Sequence, residues 1–337
     1  MTDSSAGWIV SPSPHTHSGD SVSRIMITVI VALVPSLVAG VIVFGWDTIR
    51  LTTICVATCV VAEYIVRTMM RRDIGITDWS AVVTGILLAL NLPPTLPGWM
   101  AIVGSLSAIV VAKQLYGGIG YNLFNPALVG RCVLLISFPV AMTTWAVPAF
   151  VPNASAVDAT TMATPLGAWK TAWASGNSPA SFFETYPIRS LILGNRPGCV
   201  GETSVVALLL GGLILLWRRC ISWHTPVLFI GTVAVFAGVL HQADPARNLP
   251  AAYHVFSGGI FLGAFFMATD MVTTPVTRSG MLIFGAGCGL ITMIIRKWGG
   301  YPEGVSFSIL IMNALTPLIN RFTRPRTFGH KGREMEK

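Results

Sequence analysis

Long apolar runs alternate with shorter polar segments along almost the whole chain. An α-helix needs about 17–25 apolar residues to cross ~30 Å of hydrocarbon, and about ten runs approach this length. They lie at residues 25–45, 51–70, 79–92, 98–115, 126–147, 200–217, 226–240, 255–268, 281–295 and 305–319. The third and eighth runs are short. The pattern predicts an all-α polytopic membrane protein with about ten transmembrane helices.

Composition supports this class. Of the 337 residues, 53% are hydrophobic and only 11% are charged, a balance that a soluble domain of this size would not show. Residues 1–24 are polar and include Pro12, Pro14, His15 and His17, so they do not have the pattern of a secretory signal peptide. We therefore expect the first helix to remain in the protein.

The basic residues predict an orientation in the membrane. An even number of crossings with both termini in the cytoplasm places most Lys and Arg residues on the cytoplasmic side, as the positive-inside rule requires. Arg296 and Lys297 fall on the other side. The net charge of +8 is explained by helix ends near anionic lipid headgroups, so we expect a lipid bilayer and no nucleic acid as partner.

Two similar stretches suggest an internal repeat. Residues 113–131 and 296–321 both begin with a basic residue and a paired glycine and continue to an asparagine, Asn125 or Asn313. Five spans in each half make the second half inverted relative to the first. In such folds interrupted helices meet near the membrane midplane, here at 91–94 and 269–275. Two unrelated helices broken by proline are the alternative.

These features divide the chain into five parts. We predict a cytoplasmic N-terminal segment (1–24), a first five-helix repeat (25–147), an outer, periplasmic segment (148–199), a second five-helix repeat (200–320) and a basic cytoplasmic tail (321–337).

The outer segment contains a motif that points to a cofactor. Asp158, Thr161, Ala163 and Thr164 match the pattern Asp-Gly-x-Ser/Thr-Gly-Ala-Thr, in which FMN is esterified through its phosphate to the last threonine in the NqrB/RnfD family. The chain resembles that family, but Ala159 and Met162 stand where the family has glycine. A polar loop rich in Ala and Thr is the alternative interpretation.

A second stretch carries the resemblance further. Residues 257–275 include the string Phe-Met-Ala-Thr-Asp, which is characteristic of the same family and ends at Thr269 and Asp270. With the motif at Thr164, the resemblance covers nearly the whole membrane part. The short N-terminal region and the sequence after Thr164 are closer to RnfD than to NqrB.

The resemblance implies a fold and a function. The fold would be similar to the urea-channel-like fold of this family. The function would be that of a flavin-carrying membrane subunit of an Rnf complex, a translocase that couples electron transfer between ferredoxin and NAD to Na⁺ or H⁺ transport. Covalent FMN on Thr164, other Rnf subunits, a flavin transferase during maturation and the bacterial inner membrane follow from it.

The resemblance also implies a second site. Relatives hold a noncovalent riboflavin between the two halves, and Asn125, Asn313, Thr269 and Asp270 are candidates for that flavin or for a coupling ion. An aspartate at the end of a short membrane helix is a functional candidate by default. A structural cap of the following turn is the alternative for Asp270.

Several charged residues allow both functional and structural interpretations. Lys170, Arg189 and Arg196 are available as counterions of an FMN phosphate or as solvated loop charges. The spacing of Glu63 and Arg67 predicts a structural ion pair within one helix. No partner for Arg131, within the fifth run, can be named from the sequence.

Three other functions stay open. The first is an NqrB-like subunit of a Na⁺-translocating NADH:quinone reductase. The second is a solute channel of the urea-channel type, which needs no flavin, and the third is a membrane scaffold whose neighbours carry the redox centres. The six cysteines are scattered without a CxxC pair, so we expect no metal site.

Overall fold

The structure is a computed structural model that describes residues 20–72, 75–148, 162–174, 182–183, 185–245, 247–301 and 303–325. Asp158, Ala159 and Thr161 of the predicted attachment motif lie outside these residues. The described part of the chain consists of helices, turns and loops and contains no β-strand. The predicted all-α class is confirmed.

A helix occupies each of the five apolar runs of the first half. These helices are α1 (Val22–Phe44), α2 (Trp46–Met69), α3 (Ser80–Leu90), α4 (Gly98–Leu106, continued by a π-helix at Ser107–Gln114) and α5 (Pro126–Ser137). The fifth helix is shorter than the run at 126–147. It ends before Pro139, which has no N–H to continue the ladder, and a single turn follows at Pro139–Met142.

Within the described residues between the two halves, two short helices are present. They are α6 (Pro165–Ala174) and α7 (Ile188–Leu193). The second half contains α8 (Val205–Trp217), α9 (His224–Ala243), α10 (Ala251–Phe256), α11 (Ile260–Leu262, continued by a π-helix at Gly263–Met267), α12 (Arg278–Trp298) and α13 (Val305–Phe322).

The eighth apolar run, 255–268, is not one helix. It is broken between α10 and α11, where Gly258 has a φ of 70°, a conformation that glycine adopts without strain. This break was not predicted, because the sequence placed the interruption at 269–275, where the helix does end after Met267. The amide nitrogen of Asn91, which follows the short α3, lies 3.5 Å from the sulfur of Met267 at the end of the other interrupted helix.

The helices suit a membrane. Five of them, α1, α2, α9, α12 and α13, are long and apolar enough to cross one. Large apolar side chains such as Val31, Val61 and Val235 are more than half exposed on these helices, as lipid-facing residues are. The chain is thus a polytopic membrane protein, while the inverted arrangement of its two halves stays a prediction.

Candidate functional site

Thr164 lies at the start of α6, where its side chain caps the helix. Its Oγ1 accepts a hydrogen bond from the backbone N–H of Gly167 at 3.2 Å, which is the N-cap geometry. Its carbonyl accepts from the N–H of Ala168 at 2.7 Å. The carbonyl of Ala163 accepts from the Tyr186 hydroxyl at 3.0 Å. Ala163 and Thr164, the two described residues that match the motif, are therefore held by hydrogen bonds.

An aromatic cluster anchors α6 to the second half of the chain. Leu166 packs with Phe182 and Tyr186 of the intervening segment and with Leu249 and Tyr253, which lie beside and within α10. Burial of the Tyr186 ring raises the pKa of its hydroxyl, which stays protonated and able to donate.

Lys170 adds a polar anchor on the same helix. Its Nζ donates to the carbonyls of Gly299 at 2.8 Å and Tyr301 at 3.3 Å, just after α12. The threonine-bearing helix is therefore tied to the loop between α12 and α13.

The other two predicted counterions occupy different surroundings. Arg196 is buried, and its guanidinium donates to the backbone carbonyls of Glu202 and Phe256. Arg189 is exposed on α7. Of the three cations, Lys170 is the one whose backbone shares a helix with Thr164.

A separate cavity of about 360 Å³ opens at the other end of the bundle. Its polar lining includes Ser80, Thr84, Lys113, Asn122, Asn125 and Asp270. Most of the lining is apolar and includes Val29, Leu87 and Phe266. A mainly apolar cavity of this size with a few convergent polar groups is typical of a small-molecule site.

The structure brings the two predicted asparagines together. Asn125 caps α5, since its side-chain oxygen accepts from the N–H groups of Ala127 and Leu128 at 3.1 and 3.3 Å. With the Asn313 amide turned so that its nitrogen faces the Ile309 carbonyl, its oxygen accepts from the Asn125 N–H at 3.2 Å. Asn313 lies in the middle of α13, whereas Asn125 lies at the N-terminus of α5.

Thr269 and Asp270 have different surroundings. The Thr269 hydroxyl donates back to the Phe265 carbonyl at 2.6 Å and so serves its own helix. Asp270 lines the cavity and accepts from the Thr273 hydroxyl at 3.2 Å, so a turn-capping contact is also present. Of the four predicted residues, Asn125 and Asp270 line the cavity.

Arg131 has partners that sequence reasoning did not find. Its guanidinium donates to the side-chain oxygen of Asn91 and to the carboxylate of Glu303, both at 2.7 Å. Glu202 is 3.9 Å away. The ligand atoms of Cys199, Glu202 and Glu303 lie within 4.8 Å of one another, but Arg131 already supplies a positive charge to this group. Glu202 lies at the edge of the apolar run 200–217, and this position could have marked it in the sequence as a functional candidate.

A second buried ion pair borders the cavity. The predicted pair of Glu63 and Arg67 is present at 2.9 Å. Lys113, at the end of the π-helix, also donates to both oxygens of Glu63 at 2.9 and 2.8 Å and to the Ser80 hydroxyl at 2.6 Å. π-helical turns are frequent at functional sites. Sequence reasoning missed this contact because 50 residues separate its partners.

Thr164 and the cavity lie at opposite ends of α12. Near its start, the sulfur of Met281 accepts from Ser222, which follows the cavity-lining Ile221. Its end is joined to α6 through Gly299 and Lys170. A helix of 21 residues is about 30 Å long, close to the thickness of a membrane core. The two candidate sites are therefore separated by roughly the length of one membrane helix.

Comparison with known proteins gives a consistent result. The sequence profile of the NQR2, RnfD, RnfE family matches residues 9–329. The D subunit of the proton-translocating ferredoxin:NAD(+) oxidoreductase complex of Clostridium ljungdahlii is 45% identical over 325 residues, which cover 95% of this chain and 96% of the relative. The D subunit of the Na(+)-translocating ferredoxin:NAD(+) oxidoreductase complex of Acetobacterium woodii is 46% identical over 320 residues, 95% of each chain. The D subunit of the ion-translocating oxidoreductase complex of Stutzerimonas stutzeri is 43% identical over 335 residues, 93% of this chain and 94% of that one.

Proposed function

This chain belongs to the NQR2, RnfD, RnfE family, and we propose that it is the RnfD component of an Rnf-type complex in a bacterial inner membrane. The complex couples electron transfer between ferredoxin and NAD to ion translocation, and this chain is one subunit of that translocase. Its partners are the other Rnf subunits. The two relatives named for different ions are almost equally similar to it, at 45% and 46% identity.

Within the complex, this subunit carries FMN esterified to Thr164. The N-cap position of Thr164 is the observation that supports this role. Its Oγ1 acts as an acceptor toward the Gly167 N–H, and a phosphoester oxygen can still accept that bond. The N-terminus of α6 favours the negative charge of a phosphodiester. FMN, when bound, supplies reversible electron acceptance, while this chain positions it.

The attachment chemistry comes from a separate flavin transferase. Among the described residues, the hydrogen-bond partner of the Thr164 hydroxyl is the Gly167 N–H, which cannot act as a base. In our proposal the Thr164 segment faces the periplasm and both termini face the cytoplasm, as the distribution of basic residues predicts.

In-gel fluorescence tests the attachment. The protein is expressed with its flavin transferase and run on a denaturing gel under ultraviolet light beside Thr164→Ala and Thr171→Ala variants. Thr171 is an exposed threonine on the same helix and provides the matched control. We expect fluorescence in the wild type and in Thr171→Ala, and none in Thr164→Ala. Fluorescence that persists in Thr164→Ala would show that the attachment site lies elsewhere.

The cavity bordered by Asp270 is proposed to hold the noncovalent riboflavin. Its volume, its mainly apolar lining and its polar groups Lys113, Asn122, Asn125 and Asp270 support this assignment. Asn122, Asn125 and Asp270 can bind polar edges of an aromatic ring system, and the apolar walls can pack on its faces. Lys113, whose donors are taken by Glu63 and Ser80, contributes positive charge.

Filling the cavity tests this second proposal. Val29 of α1 lines the cavity, so Val29→Trp is expected to exclude the ligand. Val31 lies on the same helix but is 51% exposed, which makes Val31→Trp the matched control. Flavin released by denaturation is quantified by chromatography after removal of the covalent fraction. Riboflavin should be lost in Val29→Trp and kept in Val31→Trp; equal retention in both would contradict the assignment.

A further inference from the structure

A second cavity, of about 400 Å³, lies beside α6 at the Thr164 end of the bundle. Four cationic side chains line it, Lys170, Arg247, Arg296 and Lys297, and none of the described lining residues is a carboxylate. Two of them, Arg296 and Lys297, are the residues that depart from the expected distribution of positive charge. The cavity therefore concentrates positive charge at the end of the protein where the positive-inside rule predicts little of it.

Three of these cations, Lys170, Arg296 and Lys297, donate hydrogen bonds to neutral groups, which do not balance their charge. Arg296, only 3% exposed, donates to the carbonyls of His254 at 2.6 Å and Ser257 at 2.9 Å, and its buried Nε has no partner among the described residues. Lys297 donates to the side-chain oxygen of Asn248. Lys170 also donates only to backbone carbonyls among its described contacts.

Nearby carboxylates do not remove the excess charge. Asp244 pairs with Arg247 at 3.3 Å on the exposed rim. Glu202 and Glu303 interact electrostatically with Arg296, but they also interact with Arg131 and Arg196, so two acidic side chains are shared among three guanidinium groups. The pKa of Lys170 is lowered, first by burial and then by the charge of Arg296. A bound anion would relieve this crowding of positive charge.

Helix termini do not account for all of the cations. The C-termini of α9 and α12 lie at the cavity, and cations in a last turn stabilise such ends. Arg296 and Lys297 serve this purpose for α12. Lys170 comes from α6, however, and adds charge that neither helix end requires.

The remaining lining indicates an amphiphile. Trp169, Leu240, Leu249 and Met293 form apolar walls beside the cations. The cavity lies at the ends of α9 and α12, two helices long and apolar enough to cross a membrane. Below it, the same helices expose Val235, Val239 and Ile294, which are 67%, 61% and 40% accessible. Acyl chains could therefore continue from the cavity along a lipid-facing surface.

We propose that this cavity binds the phosphate of an anionic phospholipid, whose acyl chains lie along α9 and α12. Lys170 and Lys297 contribute ammonium groups that can donate to the phosphate, and Arg296 adds the positive charge of its guanidinium. The site is independent of the flavin on Thr164. It would attach the α6 end of the protein to one leaflet of the bilayer.

Lipid titration by native mass spectrometry tests this site. The full-length protein is delipidated in detergent and titrated with dioleoylphosphatidylglycerol, with dioleoylphosphatidylcholine and with inorganic phosphate. Wild type is compared with the double variant Lys170→Gln/Lys297→Gln and with Arg278→Gln. Arg278 is exposed at the opposite end of α12 and is the matched control.

We expect phosphatidylglycerol to bind the wild type more tightly than phosphatidylcholine does, and the double variant to bind it roughly tenfold more weakly, about 1.4 kcal/mol. Arg278→Gln should change the affinity less than about twofold. Lys297→Gln alone, at an exposed position, gives a weaker loss in the same direction if the double variant does not fold.

Two outcomes would overturn the proposal. Unchanged phosphatidylglycerol affinity in the folded lysine variants would show that these cations bind no lipid. Displacement of the lipid by equimolar inorganic phosphate would assign the site to a free anion instead. Repeating the titration in Thr164→Ala protein keeps the result separate from the outcome of the flavin experiment.

Discussion

At the scale of single residues, buried ion pairs join side chains that are close in sequence and side chains that lie far apart along the chain. Glu63 and Arg67 stand one helical turn apart, so their ion pair followed from the sequence. Lys113 meets the same carboxylate across 50 residues, and Arg131 meets Glu303 across 172. No periodicity encodes such contacts, because they depend on how the helices pack. The cap formed by Thr164 joins residues only three positions apart, so it could have been predicted as a helix start. The sequence analysis instead interpreted this segment through its resemblance to the flavin-attachment motif.

Arg131 provides a prediction about stability. Arg131→Met leaves the Glu303 carboxylate without its guanidinium partner in a site where both side chains are nearly buried. Breaking such a pair costs about 3–5 kcal/mol, whereas replacing both charges restores much of the loss. We expect a large fall in the thermal unfolding temperature in detergent for Arg131→Met and partial recovery in Arg131→Met/Glu303→Gln.

The exposed Arg218 at the end of α8 is the control for this experiment. Arg218→Met should change the free energy of unfolding by less than about 0.5 kcal/mol. If the double variant is no more stable than Arg131→Met, the buried pair is not the cause of the loss.

At the scale of helices, the apolar runs predicted where most helices lie, but they did not predict irregularities within those helices. The first run, 25–45, corresponds to α1 at Val22–Phe44, and the last, 305–319, corresponds to α13 at Val305–Phe322. The π-helical turns at the ends of α4 and α11 have no signal in hydropathy. The π-helix that ends α4 carries Lys113, whose partners Glu63 and Ser80 lie on other helices.

Close contact between α1 and α8 makes Gly211 a sensitive position. A Cβ atom there would overlap the Ala32 carbonyl oxygen, so Gly211→Ala must push the two helices apart. Overpacking typically costs about 1–3 kcal/mol. Gly238 of α9 has open space where a methyl group would lie, so Gly238→Ala should be neutral or stabilising by up to about 1 kcal/mol. Thermal unfolding of the two variants compares them, and equal effects would contradict close packing at Gly211.

At the scale of the whole molecule, the two proposed flavin sites lie at opposite ends of a bundle about one membrane thick. Composition and the apolar runs predicted the membrane class, and the positive-inside rule predicted which end faces which compartment. The position of α6 could not be predicted, because it depends on contacts of Leu166 and Lys170 with residues that lie far along the chain.

Accessibility labelling tests the proposed orientation. In a Cys220→Ser background, Thr171→Cys and Arg218→Cys each place one exposed thiol at a different end of the bundle. A membrane-impermeant maleimide added to spheroplasts should label Thr171→Cys and spare Arg218→Cys until the membrane is permeabilised. The opposite pattern would reverse the topology.

The small exposed fraction of Thr164, 5%, affects how the protein is made. Thr164 is covered when α6 is docked, so the proposed flavin transferase would have to act while α6 is still undocked. Under this proposal, folding and modification would compete in each new chain, and a chain that folded first would stay unmodified. The fraction of modified protein in a cell would therefore report the supply of transferase at the time of synthesis and would change little in protein that is already assembled.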